Sequence, residues 1–153
     1  MFLGDGNEDG INTMGDDWFE LEVTVDSGAC DTVMPVGAAK HIQVHESAKS
    51  KVGHKYEAAN GSPIENLGER ICLMSTHGSS SNRVIHFQVA DVSKALLSIT
   101  KTADMGYECL LGKKGGFLID TLSGERIPIS RRGNLYTMTV WIKDASKGFR
   151  RQD

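Results

Sequence analysis

The sequence predicts an all-β fold, a closed β-barrel with one short helix toward its C-terminal end and one prominent β-hairpin. Residues 19–25, just after Trp18, alternate apolar and polar side chains, a period that is typical of a half-buried strand. Asn60-Gly61 separates two extended segments and is the strongest short signal for a hairpin. Many short strand-like runs joined by turns, with few helical runs, favour a barrel or sandwich.

The first ordered element is the strand predicted from Trp18, and it leads directly into Asp26-Ser27-Gly28. Serine and glycine favour a turn, so the strand should end at this aspartate. Residues 32–34 predict a second short strand, which Pro35 ends. Residues 36–42 could then form one or two helical turns.

The middle of the chain predicts a hairpin and a further strand. Residues 55–59 and 64–67 are extended segments around Asn60-Gly61, a dipeptide in which both residues tolerate positive φ. Residues 70–74 continue the second arm of this hairpin. After a loop at 77–82, residues 84–92 predict a strand with Ile85, Phe87 and Val89 on one face.

The last third of the chain contains the best helix candidate, residues 94–105, which Gly106 is placed to end. Residues 107–143 alternate short apolar runs with glycine-containing turns. Residues 1–17 are rich in Gly, Asp and Asn and predict a flexible acidic leader, and residues 144–153 predict a polar tail.

Composition limits the function classes. The chain has 153 residues, enough for one compact domain, and a formal net charge of −3, so no overall basic field makes nucleic acid an expected partner. No apolar run could cross a membrane, and the N-terminus does not resemble a secretory signal. Three widely spaced cysteines argue against a disulfide framework and favour an intracellular, cytoplasmic location.

A metal site is not predicted. His41 and His45 are four residues apart, a spacing that could bind zinc on a helix, but no cysteine or carboxylate pair accompanies them at a matching distance. Surface histidines are the preferred interpretation. The chemistry inferred below also requires no cofactor.

Asp26-Ser27-Gly28-Ala29 is the motif that could carry chemistry. Asp-Ser-Gly alone occurs in many turns, where the carboxylate only caps the backbone. Here an alternating strand delivers the aspartate, an apolar strand follows it, and a glycine-tipped hairpin and an amphipathic segment come later. This combination of elements raises the motif from a turn signal to a candidate active site.

The chain resembles the retropepsin family of aspartic proteases over about residues 18–112. That family carries Asp-Thr/Ser-Gly-Ala at a strand end, a glycine-containing flap, and an apolar-apolar-Gly segment that leads into a short helix. The matching residues are Asp26, Ser27, Gly28 and Ala29, the flap residues Ala59, Asn60 and Gly61, and the second motif Leu96, Leu97 and Ser98. Ser98 departs from the family's glycine, so close backbone approach is less assured there.

The proteases in copia-type LTR retrotransposon polyproteins are the nearest in style. Besides the three motifs, residues 131–136 are similar to the stretch that precedes the integrase region in such polyproteins. The resemblance therefore implies a protease domain at 18–112, a junction segment at 113–143, and a virus-like particle as a compatible context. The implied natural substrates are junctions of the chain's own polyprotein, bound as extended peptides.

The implied mechanism needs two carboxylates that share one proton, one activating water and the other polarising the peptide carbonyl. Ser27 would hold the geometry of the pair, and Gly28 would let the backbone approach it. No second Asp-Thr/Ser-Gly exists, because Asp120-Thr121-Leu122-Ser123-Gly124 has the wrong spacing and Asp31-Thr32-Val33 lacks glycine. One aspartate per chain therefore implies a homodimer with its twofold axis between two copies of Asp26.

Two other functions stay open. The domain could be a retropepsin fold that dimerises or binds peptide without cleaving it, since a decayed element could retain Asp26. It could also be a purely structural β-domain that joins parts of a polyprotein, in which case it should be monomeric. Proteolysis of extended peptides at mildly acid pH separates the first of these functions from an active enzyme, and inhibition by an aspartic protease inhibitor separates the second.

Overall fold

The computed structural model describes residues 18–76 and 82–146. The predicted leader, most of the predicted 77–82 loop and most of the predicted tail lie outside these residues. The described strands are β1 (Phe19–Asp26), β2 (Val33–Pro35), β3 (Lys55–Glu57), β4 (Pro63–Thr76), β5 (Arg83–Ala90), β6 (Ala95–Ser98), β7 (Tyr107–Gly112), β8 (Gly115–Asp120), β9 (Arg126–Arg132) and β10 (Leu135–Asp144), and the described helices are α1 (Ala48–Lys51) and α2 (Ile99–Asp104).

Six of these strands form a closed barrel, as predicted. The strands follow one another in the order β4-β5-β2-β6-β1-β10, and β10 pairs with β4 to close the ring. β1 and β6 run parallel, with Asp26 opposite Ser98, and β2 and β5 also run parallel. Closure removes the exposed sheet edges that would otherwise invite pairing with other chains.

The chain's last strand completes this barrel. β10 lies antiparallel to both β1 and β4, so the barrel extends past residue 112. β7, β8 and β9 form an antiparallel meander that continues the sheet from β10, and four of its buried side chains join the barrel core: Tyr107, Leu118, Ile127 and Ile129. The predicted junction segment thus shares one hydrophobic core with the barrel.

Strand periodicity accounts for that core. In β1, Val23 and Val25 are buried, whereas Phe19 and Leu21 are partly covered. The predicted inner face of β5 is confirmed, since Ile85, Phe87 and Val89 are 5%, 0% and 1% exposed. Burying each such side chain contributes about 1.5–3 kcal/mol of apolar transfer free energy, so these two strands anchor the barrel.

The helix predictions need correction. Residues 95–98 of the predicted 94–105 helix are a strand, and only α2 is helical, because parallel pairing with β1 outweighs the local apolar pattern. α2 is also not C-terminal, since four strands follow it, and α1 is an additional helix. Gly106, with φ of 95°, does follow the end of α2 as predicted.

Residues 36–42 form turns and not a helix. The cause is Arg70, a buried side chain at 3% exposure. Its guanidinium donates to the carbonyls of Ile42 at 2.8 Å, Ala38 at 2.7 Å and Val36 at 3.1 Å. These carbonyls therefore serve as acceptors for a buried cation rather than for helical N–H groups.

The predicted hairpin is confirmed, with a different turn. Glu57 pairs with Pro63, Ala58 bonds to Ser62, and the loop between Ala58 and Ser62 is Ala59, Asn60 and Gly61, of which only Gly61 has positive φ, at 86°. Ala58 accepts from the Gly61 N–H at 2.9 Å and donates to Ser62 at 2.8 Å. This is a three-residue loop ending in a left-handed glycine, in place of the two-residue turn that Asn-Gly favours.

Candidate active site

Asp26 stands at the carboxyl end of β1, where the sequence places it. Its Oδ1 accepts a hydrogen bond from the Gly28 N–H at 2.8 Å, and its backbone carbonyl accepts from the Ala29 N–H at 3.4 Å. A Cβ on Gly28 would lie 3.4 Å from the same Oδ1, which is a close van der Waals contact. The Asp-Ser-Gly-Ala turn therefore holds the carboxylate by its own backbone.

Ser98 fastens this turn to the rest of the barrel. It is fully buried, and its hydroxyl donates to the Ala29 carbonyl at 2.8 Å while accepting from the Lys101 N–H at 3.1 Å. Its N–H donates to Thr32 Oγ1 at 3.0 Å, and its carbonyl accepts from Thr102 Oγ1 at 2.7 Å. The same serine thus caps α2 and connects it to the loop that carries Asp26.

The departure from the family's glycine at this position therefore has a structural account. The hydroxyl of Ser98 reaches a backbone carbonyl of the Asp26 loop, a contact that glycine could not make. Leu97 is buried in the core, whereas Leu96 is partly exposed beside Asp26. The structure consequently brings the first and second predicted motifs together.

Two clefts meet at Asp26. The first, of about 360 Å³, lies between the Asp26 loop and the arms of the hairpin, with apolar walls from Ala29, Val33, Ile64 and Leu96. The second, of about 330 Å³, lies on the side of Ser27, and Leu96 and Ile99 contribute to it. Asp26 and Leu96 line both clefts, so the two clefts share one carboxylate.

The predicted flap residues contribute differently from their neighbours. Tyr56, Glu57 and Ile64, on the arms of the hairpin, line the first cleft. Ala59, Asn60 and Gly61 are exposed at its tip and are not among the lining residues. The structure therefore places the arms of the hairpin at the cleft and leaves the tip exposed.

Asp31 and its partners were missed from sequence. This carboxylate is only 5% exposed, and its Oδ2 accepts from the Tyr56 hydroxyl at 2.8 Å and pairs with the Lys49 ammonium. Its Oδ1 lies 3.8 Å from the Lys101 ammonium. A buried carboxylate requires such partners, and they come from α1, β3 and α2, which no local pattern connects.

The polar network continues under the hairpin. Asn66, 2% exposed, donates to the Tyr56 oxygen and to Gln88 Oε1, each at 2.9 Å. Burial, together with the hydrogen bond to Asp31, raises the pKa of the Tyr56 hydroxyl, so it stays a proton donor. The hairpin base is therefore hydrogen-bonded to the floor of the first cleft.

Metal ligation has no cluster to support it in residues 18–76 and 82–146, where no group of three or more His, Cys, Asp or Glu could hold an ion. His41 packs edge-on against Phe19, with ring centroids 4.2 Å apart, and His45 forms an isolated backbone bridge to Glu69. Since residues 36–42 are not helical, the four-residue histidine spacing does not create a helical metal face.

Neither helix in the described ranges is long and apolar enough to cross a membrane.

Comparison with known proteins identified no relative: no protein family, no curated protein and no solved structure matches this chain. The site must therefore be interpreted from its own chemistry. It offers one partly exposed carboxylate, held by the Gly28 N–H, that lines two clefts with both apolar and polar walls.

Proposed function

We propose that this chain is one subunit of a retropepsin-like aspartic endopeptidase that acts as a homodimer, of the type found in copia-type retrotransposon polyproteins. The observation that carries the proposal is Asp26, whose carboxylate accepts from the Gly28 N–H and whose backbone carbonyl accepts from the Ala29 N–H, and which lines two clefts. Its turn is fastened through Ser98 to the helix that follows the second motif. Preorganised carboxylates of this kind suit general acid–base catalysis.

The proposed chemistry follows from pairing two copies of Asp26. Two carboxylates in contact cannot both ionise, so the pair carries one proton. The ionised member takes a proton from water, which attacks the peptide carbonyl, while the protonated member hydrogen-bonds the carbonyl oxygen. The leaving nitrogen then receives a proton from the pair, and the peptide bond breaks. The rate should be bell-shaped in pH with its maximum on the acid side of neutrality.

A second copy is needed because the neighbouring carboxylate is already engaged. Asp31 is paired with Lys49 and accepts from Tyr56, so it is not free to share a proton with Asp26. An extended peptide in the groove would lie between the Asp26 loop and the hairpin arms, and an extended backbone can hydrogen-bond to such arms as an added strand. Junctions of the parent polyprotein are the proposed natural substrates.

Replacing Asp26 by Asn tests the assignment. Cleavage of an extended peptide library at pH 5 should fall by at least about a thousandfold, since an amide cannot act as the base. Glu20→Gln removes an exposed carboxylate from the far end of the same strand and should leave the rate unchanged. Cleavage by the Asp26→Asn chain at the rate of the unmodified chain would end the proposal.

Dilution tests the dimer. Each chain supplies one motif, so specific activity should fall as the concentration drops below the dimer dissociation constant. Activity and sedimentation velocity measured over the same dilution series should decline together. Constant specific activity among sedimenting monomers would contradict a shared pair.

The two alternatives predict different results in these assays. A retropepsin fold that only dimerises or binds peptide should sediment as a dimer and retain peptide without cleaving it. A structural β-domain should sediment as a monomer and should not bind an aspartic protease inhibitor.

The three cysteines Cys30, Cys72 and Cys109 are free thiols, which suits the reducing cytoplasm, where we propose that the enzyme acts.

A further inference from the structure

Five cations lie on or next to elements that form the second cleft, on the side of Ser27. Lys94 lines the cleft itself. Lys113 and Lys114 follow the lining residue Leu111 in the β7–β8 turn, and Arg131 and Arg132 end β9 just before the lining residues Asn134 and Leu135. We call these five residues the basic rim. The whole chain carries a formal net charge of −3, so this concentration of positive charge is local.

The two turns of the rim are held against each other. Arg131 donates from Nη1 to the Lys113 carbonyl at 3.0 Å and from Nε to the Gly133 carbonyl at 2.9 Å. The Tyr136 hydroxyl donates to the Gly112 carbonyl at 2.7 Å. These bonds hold the backbone of the β7–β8 turn, which carries the two lysines, against the turn that follows β9.

Most of the rim lacks counter-charge. Arg132 lies 3.4 Å from Glu22, an exposed pair. In the part of the chain that the structure describes, Lys94, Lys113, Lys114 and Arg131 form no ion pair with a carboxylate. Cations near a cleft mouth that have no carboxylate partner raise the local concentration of anionic ligands and steer them inward.

One part of the wall of the same cleft is apolar, beside the polar residues Thr24, Ser27 and Asn134. Leu96, Ile99, Leu111 and Leu135 line it together with Asp26, and Leu111 and Leu135 are 37% and 44% exposed. A ligand that matches both features needs an apolar side chain for the wall and carboxylates for the rim. Polypeptide supplies both within a few extended residues, whereas a phosphate backbone supplies only the charge.

We propose that the basic rim makes the site selective for acidic peptides, with an apolar residue seated beside Asp26 and Asp or Glu residues reaching the rim. The inference rests on the proposed function for its meaning, since selectivity matters only if the bound peptide is cut. Peptide binding can be measured without cleavage, so the selectivity for acidic peptides and the peptidase function can be disproved separately.

The chain's own sequence provides a suitable probe. Residues 1–17 contain five acidic residues and no Lys or Arg, with Ile11 and Met14 between them; the acidic residues are Asp5, Glu8, Asp9, Asp16 and Asp17. A labelled, acetylated peptide of this sequence is compared with a control in which the five become Asn or Gln. The test protein is the full chain carrying Asp26→Asn and the same five neutral replacements, which removes competition from within the chain.

Fluorescence anisotropy at low salt should show the acidic peptide binding at least about tenfold more tightly than its neutral control, with the ratio shrinking as salt rises. The double variant Lys113→Glu/Lys114→Glu should bind the acidic and the neutral peptide with equal affinity. Lys40→Glu/Lys51→Glu changes the net charge equally at exposed positions on other elements and should retain it.

Three results would overturn the inference. The two peptides could bind equally, or both charge-reversed proteins could lose the preference alike, which would reduce it to net charge. A single-stranded RNA of matched charge could bind more tightly than the acidic peptide, which would assign the rim to nucleic acid. None of these results bears on whether Asp26 cleaves peptides, which the unmodified chain reports separately.

Discussion

The floor of the candidate site and the hairpin beside it are held in different ways. On the floor, Ser98 is completely buried and makes four hydrogen bonds that join the Asp26 loop, β2 and α2. In the hairpin, β3 pairs with β4 over three residues, and the tip residues are exposed. The principal side-chain link from β3 to the floor is the Tyr56 hydroxyl on Asp31.

This difference matches the two requirements of the peptidase that we propose. Catalytic carboxylates need a fixed position, which buried and fully satisfied hydrogen bonds provide. A cover over the cleft must open to admit a peptide, so it should be drawn from a part of the fold with few buried contacts. We therefore expect damage to the floor to affect folding and catalysis together, and damage to the hairpin to affect catalysis with less loss of stability.

The largest effect should come from Ser98→Ala. The change removes two part-buried hydrogen bonds of this buried serine: the cap bond from the Lys101 N–H, worth about 0.5–2 kcal/mol, and the bond to the Ala29 carbonyl, whose loss costs about 1–3 kcal/mol. The free energy of unfolding, measured by urea denaturation, should fall by about 2–4 kcal/mol, and peptidase activity should fall with it.

Ser130→Ala is the matched control, since that serine is exposed on β9. Its effect on the unfolding free energy should stay within about 0.5 kcal/mol. If the two alanine variants were equally stable, the floor would not be the rigid region, and the contrast with the hairpin would disappear.

Sequence reasoning recovered the parts of the floor that depend on local pattern. Alternation identified β1, and the Asp-Ser-Gly-Ala turn at its end holds Asp26 as the turn chemistry suggests. The closing strand β10 was assigned to a junction, because its pairing with β4 joins residues far apart in sequence and leaves no local signal. The local pattern of the Ala95–Ser98 segment predicts a helix wrongly, because four apolar or small residues fit the helical period and the strand period equally well.

The buried network around Asp31 also leaves no local signal in the sequence. The sequence excludes Asp31 as a second catalytic motif because glycine does not follow Thr32. Its role depends on Lys49 and Lys101, which reach it from two helices at a distance that only the folded chain sets. Ser98, by contrast, was identified as a departure from the family pattern, and the structure supplies its compensation in the bond to Ala29.

Gly61→Val should have an intermediate effect that centres on the hairpin. Gly61 has φ of 86°, a region that costs a β-branched residue about 1–2 kcal/mol, although a Cβ there would meet nothing closer than 3.9 Å. The hairpin should relieve this backbone strain by distorting, so kcat/KM for peptide cleavage should drop about tenfold or more. Gly61→Asn should recover most of the rate, because asparagine tolerates this conformation.

Gly124→Val supplies the comparison for strain alone. Gly124 has φ of 78° with no atom within 4 Å of an added Cβ, and it lies in the β8–β9 turn. Its loss of stability should resemble that of Gly61→Val, while its kcat/KM stays near that of the unmodified chain. Equal loss of activity in both valine variants would mean that the hairpin has no separate part in catalysis.

The smallest effect should come from Tyr56→Phe, and its pH dependence makes it informative. The change removes the hydroxyl that donates to Asp31 at 2.8 Å and accepts from Asn66, so unfolding at pH 7 should become easier by about 1 kcal/mol. Burial raises the pKa of this hydroxyl above 10.0 in the folded chain. Its contribution is therefore complete below pH 10 and declines above it by about 1.4 kcal/mol per pH unit.

Because phenylalanine does not titrate, the gap between the two proteins should close as the pH approaches 11. Urea denaturation at pH 7, 9 and 11 measures the gap, and hydrogen exchange at pH 7 should show faster exchange in β3 with little change at the Ser98 and Lys101 amides. A gap that stays constant to pH 11 would mean that the Tyr56 hydroxyl is not buried against Asp31. Equal acceleration in both regions would mean that the hairpin and the floor open as one unit.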